Sequence, residues 1–492
     1  MREAATLRQA GRPGEALPLY ERAAARAPMR ADIVLAAAMT FVEAGDDAQS
    51  LRLIRSLLEK RPDLADAHLM RAHLERRRRH FSEAERAYRR AADLAPDLVG
   101  AWVGLASLLF DLYRPDEAEA PFRRAIELAP DAPGPRNALG EVLEDLGRFD
   151  EAEAAYQSAL DRAPDFVAAH VNIGNVRQRT ARFTEAADSY ARALEIDAAA
   201  PGVHNNLGLV LHKLGRLDDA ATTLRRAVDG AADDAIAHYN LACVLLKRGD
   251  AAAALDACDA CLARRPGNGS ALSLKAIAHG RQGDAVGAAR LIDYDRFMGH
   301  VRLTPPPDYP DIGAFNRALG AEALAAPTRY SEAGSDVARQ TRDLFVKPPA
   351  ALAAFERLIA EAVRRHMSTL PADDDHPFLD AIPTGWKLTA WATILREVSA
   401  PQISHLHPTA WLSGVYYVDL PDVVRQPGDH GGWIEFGRPP PFVHPEPTHA
   451  TKVVRPEEGL LLLFPSYFYH RVLPFVAERP RISIAFDVTP AR

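Results

Sequence analysis

Histidine gathers near the end of the chain. His405 and His407 flank one residue, so on an extended segment they face the same side. His470 follows an apolar run, Leu460 to Phe464, after the turn Pro465-Ser466-Tyr467. Arg481 and Ser483, again one residue apart, share a face of a last apolar segment. Imidazoles grouped in this way serve proton transfer or transition-metal binding. A single HxH is a weak signal. It gains weight from its order: HxH, strand, glycine-rich hairpin, a strand followed by His, then RxS eleven residues on. The competing reading is that these histidines decorate a surface or a core. His430, His444 and His449 fall in segments rich in Pro and Gly and are expected to be solvated.

These residues need strands to hold them. Trp386 to Arg396, Leu412 to Val418, Gly432 to Phe436, Leu460 to Phe464 and Ile482 to Val488 read as strands punctuated by Pro and Gly. Several short strands in little more than a hundred residues predict a small barrel or sandwich. Residues 311 to 330 and 349 to 370 read as helices, with Phe355, Leu358, Ile359 and Val363 at helical spacing. Between Val301 and Pro310 the chain is proline-rich and is expected to be an extended connection.

The first three hundred residues carry a different pattern. Pro28, Pro62, Pro96, Pro130, Pro164 and Pro266 lie on one grid of 34 residues, with Ala198 and Ala232 at the two other points. Twelve residues before each point sits a small side chain: Ala16, Ser50, Ala84, Ala118, Ala152, Ala186, Ala220 and Ala254. Eight before sit Tyr20, Ile54, Tyr88, Phe122, Tyr156, Tyr190, Leu224 and Cys258. Small residues let two antiparallel helices approach, and the large one fills the space between them. Proline then ends the second helix, because it lacks an N–H and clashes with the preceding turn. Five before sit Ala23, Leu57, Ala91, Ala125, Ala159, Ala193, Ala227 and Cys261, and this small, aromatic, small, proline order is the tetratricopeptide pattern, with Gly140, Gly174 and Gly208 at its close-packing glycine. Seven full repeats are expected, with a partial one before them and a degenerate ninth, about Asn268 to Phe297, capping the stack. Stacked repeats curl into a superhelix with a concave binding face.

Asn172, Asn206 and Asn240 recur at one position of three successive repeats, a position that points into the groove. A ladder of amides can pair with the backbone of an extended peptide without reading its side chains, each pair adding roughly 1 kcal/mol. The arrangement resembles the asparagine ladder of the O-linked N-acetylglucosamine transferase repeats. Asn is also a common consensus residue at that position, which is the plainer explanation.

Composition sets the outer limits. With 59 Lys and Arg against 66 Asp and Glu, the net charge of -7 argues against a general nucleic-acid binder. No run of eighteen apolar residues occurs, so no membrane span is expected. The first residues carry no apolar signal core, and the three cysteines cannot build a disulfide framework. A cytoplasmic protein is expected. Cys258 and Cys261 form a CxxC without a second pair and fall at apolar helix positions, which predicts core packing.

The C-terminal order resembles a known family. The region from about Trp386 to Val488 is similar to the iron(II)- and 2-oxoglutarate-dependent oxygenases, through His-Leu-His-Pro, Leu-Ser-Gly-Val-Tyr-Tyr-Val and Leu-Phe-Pro-Ser before His-Arg-Val. Gly431-Gly432-Trp433-Ile434-Glu435-Phe436 matches the Gly-Gly strand of prolyl-hydroxylase-like members. The resemblance implies a double-stranded β-helix, or jelly-roll, core. It places His405 at the first metal-binding His, His470 at the distal His and Arg481 at the basic residue that follows. It implies Fe(II), 2-oxoglutarate as cosubstrate and O2. Arg481 and Ser483 would then hold the far carboxylate of the cosubstrate, with Tyr416 or Tyr417 adding one donor. No catalytic residue beyond the metal site is implied. The departure is His407, where the family carries Asp or Glu. It is a third nitrogen ligand, or it stands aside and water completes a two-His site, or the metal differs, since three imidazoles also suit zinc.

The expected architecture is therefore multidomain: an all-α tetratricopeptide-repeat superhelix over 1–298, linker and supporting helices over 299–385, and an α+β oxygenase whose jelly-roll core covers 386–492. The expected activity is hydroxylation of a peptide or protein held in the repeat groove, a pairing that resembles the aspartyl/asparaginyl β-hydroxylases and collagen prolyl hydroxylases. Besides a small-molecule oxygenase that uses the repeats only for assembly, two alternatives stay open. One is an interaction scaffold with a degenerate metal-binding barrel. The other is a three-His dioxygenase that does not use 2-oxoglutarate.

Overall fold

The computed structural model describes residues 2–27, 29–330, 338–373, 375–398, 403–426, 428 and 430–491. Of the repeat-grid residues, Pro28 lies outside these. The chain forms two compact units, Met1–Val210 and Leu211–Arg492.

The first unit is a run of antiparallel helix pairs. They are α1 (Arg2–Gln9) with α2 (Pro13–Arg26), α3 (Ala31–Glu43) with α4 (Asp47–Lys60), and α5 (Ala65–Arg77) with α6 (Phe81–Leu94). Then come α7 (Val99–Asp111) with α8 (Pro115–Leu128), α9 (Pro133–Asp145) with α10 (Phe149–Leu160), and α11 (Val167–Arg179) with α12 (Phe183–Ile196). The grid explains the pairing. Ala16, Ser50, Ala84, Ala118, Ala152 and Ala186 are wholly buried, as are Tyr88, Tyr156 and Tyr190. A Cβ added at Gly140 would stand 2.4 Å from Cε1 of Tyr156, and one at Gly174 2.6 Å from Cε1 of Tyr190. Glycine is thus required there by the close approach of an aromatic ring. Proline at the grid point follows the end of α4, α6 and α8, yet α12 ends at the same place with Ala198 there. Packing of the pair, and not proline alone, sets where the second helix stops.

Helix α13 (Val203–Lys213) spans the end of the first unit and the start of the second. The second unit then holds α14 (Leu217–Gly230), α15 (Ala235–Arg248), α16 (Ala251–Arg264), α17 (Gly269–Arg281), the short α18 (Ala285–Leu291) and α19 (Tyr294–Phe297). The α17–α18 pair is the degenerate repeat. Cys258 and Cys261 are buried free thiols on α16, so they pack as core residues.

Beyond the repeats the unit is β-rich. Its strands are β1 (Gly299–Arg302), β2 (Thr328–Tyr330), β3 (Ala338–Thr341), β4 (Trp386–Val398), β5 (Leu412–Asp419), β6 (Ile434–Phe436), β7 (Lys452–Val454), β8 (Leu460–Pro465), β9 (His470–Val472) and β10 (Phe475–Pro490). Helices α20 (Ile312–Ala325) and α21 (Ala350–Thr369) support them, with the short turns α22 (Pro377–Asp380) and α23 (Asp422–Arg425). One sheet runs β1-β8-β5-β10-β4-β3-β2 and a second β7-β6-β9, every pairing antiparallel. Two such sheets make a jelly-roll-type α+β domain.

The extended connection begins as a strand. Gly299 to Arg302 pair with Leu463 to Leu460, which covers the edge of β8 before the prolines start. The helix expected over residues 311 to 330 stops at Ala325, and Thr328–Tyr330 turn into β2. Side chains on both faces of β5 are buried. Tyr416 points to the helices, its hydroxyl donating to Asn316 Oδ1 at 2.6 Å and its ring 4.9 Å from Phe355. Tyr417, one residue on, faces the other way and meets Arg481. Glu322 of α20 caps α21 through the backbone N–H groups of Ala351 and Leu352, a role that Pro349 at the N-cap cannot fill.

Candidate metal and cosubstrate site

Three elements bring the histidines together. His405 lies just after β4 and makes an isolated bridge with His470 at the start of β9, each backbone N–H donating to the other's carbonyl at 3.0 Å. The His407 N–H donates to Ser466 O at 2.9 Å in the turn after β8. Ring centroids stand 4.4 Å apart for His405 and His470, 5.4 Å for His405 and His407, and 5.2 Å for His407 and His470. One ring nitrogen from each lies within 4.8 Å of the other two.

The protonation pattern of these rings follows from their partners. His470 Nδ1 is 3.0 Å from Phe468 O, His405 Nδ1 3.4 Å from Ile403 O, and His407 Nδ1 2.6 Å from Asp487 Oδ1. Carbonyls only accept, so Nδ1 of His405 and of His470 carries the proton and donates, and Nδ1 of His407 faces the Asp487 carboxylate. In a neutral ring so oriented, Nε2 keeps the lone pair. Burial, and then the two neighbouring imidazoles, hold His470 well below the usual histidine range, so it is neutral near pH 7. Phe464 and Phe436 pack on it at 4.9 and 6.0 Å. Three imidazoles whose ring nitrogens come this close could hold a transition-metal dication.

Arg481 and Ser483 stand on β10, on the face that also carries Asp487. Arg481 is 2 % exposed. Its Nη1 donates to Ser483 Oγ at 3.0 Å and its guanidinium lies 5.1 Å from the centre of the Tyr417 ring. Its Nε and the Tyr417 hydroxyl are buried without a partner, and no described carboxylate pairs with it. Burial pulls the guanidinium down from its ordinary range and pushes the Tyr417 phenol up to about 12. A buried cation with an idle donor and a phenol beside it form a cradle for a carboxylate.

The family comparisons agree with this geometry. Residues 389–487 match the family described as "Putative 2OG-Fe(II) oxygenase". Segments from residue 7 to residue 297 match tetratricopeptide-repeat families. The chain is a tetratricopeptide-repeat protein fused to a 2OG-Fe(II) oxygenase-family domain. That family implies Fe(II), 2-oxoglutarate and O2. Among solved structures, similar chains include one from the APC/C hetero-tetramer Cut9-Hcn1, at 22% identity over 56% of this chain, with TM-score 0.40. This chain covers 54% of that one. YrrB, a TPR protein with an unusual peptide-binding site, is 25% identical over 35% of this chain and 91% of its own, with TM-score 0.34. PilF of Pseudomonas aeruginosa is 18% identical over 43% of this chain and 96% of its own, with TM-score 0.39. No curated protein matches.

Other expected residues fall outside the oxygenase site. The Asn172 side-chain N–H donates to Asn137 Oδ1 and Glu141 Oε1, both at 3.2 Å, and that of Asn206 to Asn175 Oδ1 at 3.3 Å. Asn240 is buried on α15. The Asn172 and Asn206 amides are therefore bonded within the first unit, and Asn137, off the 34-residue register, joins them. His430 is exposed as expected, whereas His444 and His449 are half-buried. The Tyr416 hydroxyl is turned to Asn316 of α20, away from the Arg481 side of the strand. Asp487 escaped the sequence reading. Its signal was there, since Arg481, Ser483, Ala485 and Asp487 alternate along one strand.

Proposed function

We propose that the C-terminal domain is an iron(II)- and 2-oxoglutarate-dependent dioxygenase that hydroxylates a peptide or protein held by the repeats. The observation that carries this reading is Arg481. A buried guanidinium without a counter-ion is costly to fold around, and that cost is met when a dicarboxylate brings its own charge. This favours 2-oxoglutarate over a three-His dioxygenase without a cosubstrate. With Fe(II) and 2-oxoglutarate held by these residues, O2 would be the oxidant: one of its oxygens would enter a C–H bond and the other succinate, as 2-oxoglutarate gives up two electrons and carbon dioxide.

The protein's own residues bind and orient. His405, His407 and His470 offer Nε2 to the metal. Arg481, Ser483 and Tyr417 take the far carboxylate. Phe436 and Phe464 keep water from the His470 ring. Asn172, Asn206 and Asn240 are assigned to substrate backbone, a role for which Asn172 and Asn206 would exchange their bonds to Asn137, Glu141 and Asn175. Helix α15, which carries Asn240, also packs Tyr239 against the core cluster that includes Tyr467 and Phe468, next to His470. We further assign the protein to the cytoplasm: its cysteines are free, and among the described residues no helix is long and apolar enough to cross a membrane.

The test is succinate formation from 2-oxoglutarate with Fe(II), ascorbate and a pool of lysate peptides. Turnover is expected in the wild type and its loss in His470→Ala. No bound iron, and no thermal shift with metal plus N-oxalylglycine, would leave the interaction scaffold as the better reading.

A further inference from the structure

We propose that Asp487 is a positioning residue of the metal centre: it fixes the His407 ring with Nε2 toward the other two imidazoles and supplies, one ring further out, the carboxylate that the HxH segment lacks. The inference rests on reading His405, His407 and His470 as one ligand set.

The geometry differs between the three rings. His405 and His470 lean on backbone carbonyls, whereas His407 Nδ1 stands 2.6 Å from a side-chain carboxylate oxygen. Asp487 is itself held from a second side. Ser413, its register partner on β5, donates Oγ to the same Oδ1 at 2.7 Å. The side chains of His407 and Asp487 are only 13% and 16% exposed. Among the described residues no lysine or arginine pairs with Asp487, so its charge is not spent on a structural cation. Trp391 flanks the His407 ring at 5.7 Å and limits its swing.

Three neutral imidazoles leave the charge of a metal dication uncompensated. A carboxylate behind one ligand compensates it through the ring and makes that ring a better donor. The substitution of histidine for an acid at 407 then does not remove the negative charge from the centre. It moves that charge outward by one imidazole. Strand β10 serves both ends of the site, Arg481 and Ser483 at one and Asp487 at the other.

The test is Co(II) titration of the metal-free full chain, followed by the visible ligand-field band, with no substrate and no turnover. Asp487→Asn keeps shape and an acceptor oxygen but removes charge, and Asp487→Ala removes both. Co(II) binding is expected to weaken by about tenfold in the Asn variant and up to about a hundredfold in the Ala variant. The band should shift in both. The melting temperature of the metal-free Asn variant should stay at the wild-type value, which a purely structural role would not give. If the Ala variant does not fold, the Asn variant decides alone. Wild-type affinity and an unchanged band in Asp487→Asn overturn the proposal. Failure of the wild type itself to bind Co(II) overturns the ligand set as well, and so is told apart from failure of Asp487 alone.

Discussion

Arg481 and Ser483 could be paired from sequence because a strand repeats every two residues. The same step taken twice more reaches Asp487, but nothing local says that its carboxylate meets a histidine eighty residues away. Tyr416 and Tyr417 show the complementary limit. When both faces of a strand are buried, alternation no longer tells inward from outward. Arg481 also yields a prediction with an unusual sign. Its only described hydrogen-bond acceptor is Ser483, and its Nε has none. Replacing an uncompensated buried charge with an apolar side chain of like volume is often neutral or stabilising. Arg481→Met should therefore melt no lower than wild type without ligand. It should lose the stabilisation given by 2-oxoglutarate, about 2.7 kcal/mol at a hundred times Kd. Thermal melts with and without 2-oxoglutarate, metal present, read both. A lower ligand-free melt, or a preserved shift, would count against the carboxylate cradle.

Helices of the repeat units were legible because the same constraint recurs every 34 residues, so chance is averaged out. Strands β2, β3, β7 and β9 run three or four residues each, too short for a period to register. Strand β1 was hidden by the prolines that follow it. Between repeats the chain adds a ladder that the consensus does not include. Arg114 bonds Glu85 and Glu117 at 2.8 and 2.6 Å, and Arg148 bonds Glu119 and Glu151, both at 2.7 Å. Arg182 continues it with Glu153. These pairs are solvent-screened and add little, so the aromatic contacts govern stability. Gly174 tests that ranking. Helix propensity alone favours alanine there by about 1 kcal/mol. The added Cβ, however, meets a Tyr190 ring pinned by its hydroxyl to Asn175 at 2.7 Å and Gln178 at 3.0 Å. Overpacking of this kind costs about 1–3 kcal/mol, so Gly174→Ala should destabilise. Urea unfolding followed by helical circular dichroism decides, and a gain in stability would show that the ring yields.

On the scale of the second unit, repeats and barrel share one core. Leu262, Leu272, Leu291 and Phe297 from the last repeats pack in the same cluster as Phe378, Trp411, Tyr467 and Ile484. Polar contacts follow the same route. Ser273 of α17 donates to the carbonyl of Tyr467, whose own hydroxyl donates to Leu291 O at 2.5 Å. His366 bonds Phe297 O and His376 bonds Arg290 O. Tyr467 sits in the turn that leads to His470, so the last repeat braces the segment that carries a candidate ligand. A barrel cut free at residue 299 would lose six large side chains of this cluster, those four with Tyr294 and Met298, roughly 9–18 kcal/mol at about 1.5–3 each. That is comparable with the whole net stability of a domain, about 5–15 kcal/mol. A chain beginning at Gly299 should accordingly fail to unfold cooperatively, whereas one beginning at Leu211 should do so. Tryptophan fluorescence suits the measurement, because Trp386, Trp391, Trp411 and Trp433 all lie in this part of the chain. A sharp urea transition from the piece starting at Gly299 would mean that α17 to α19 merely lean on the barrel, and that the brace behind His470 lies within the barrel itself.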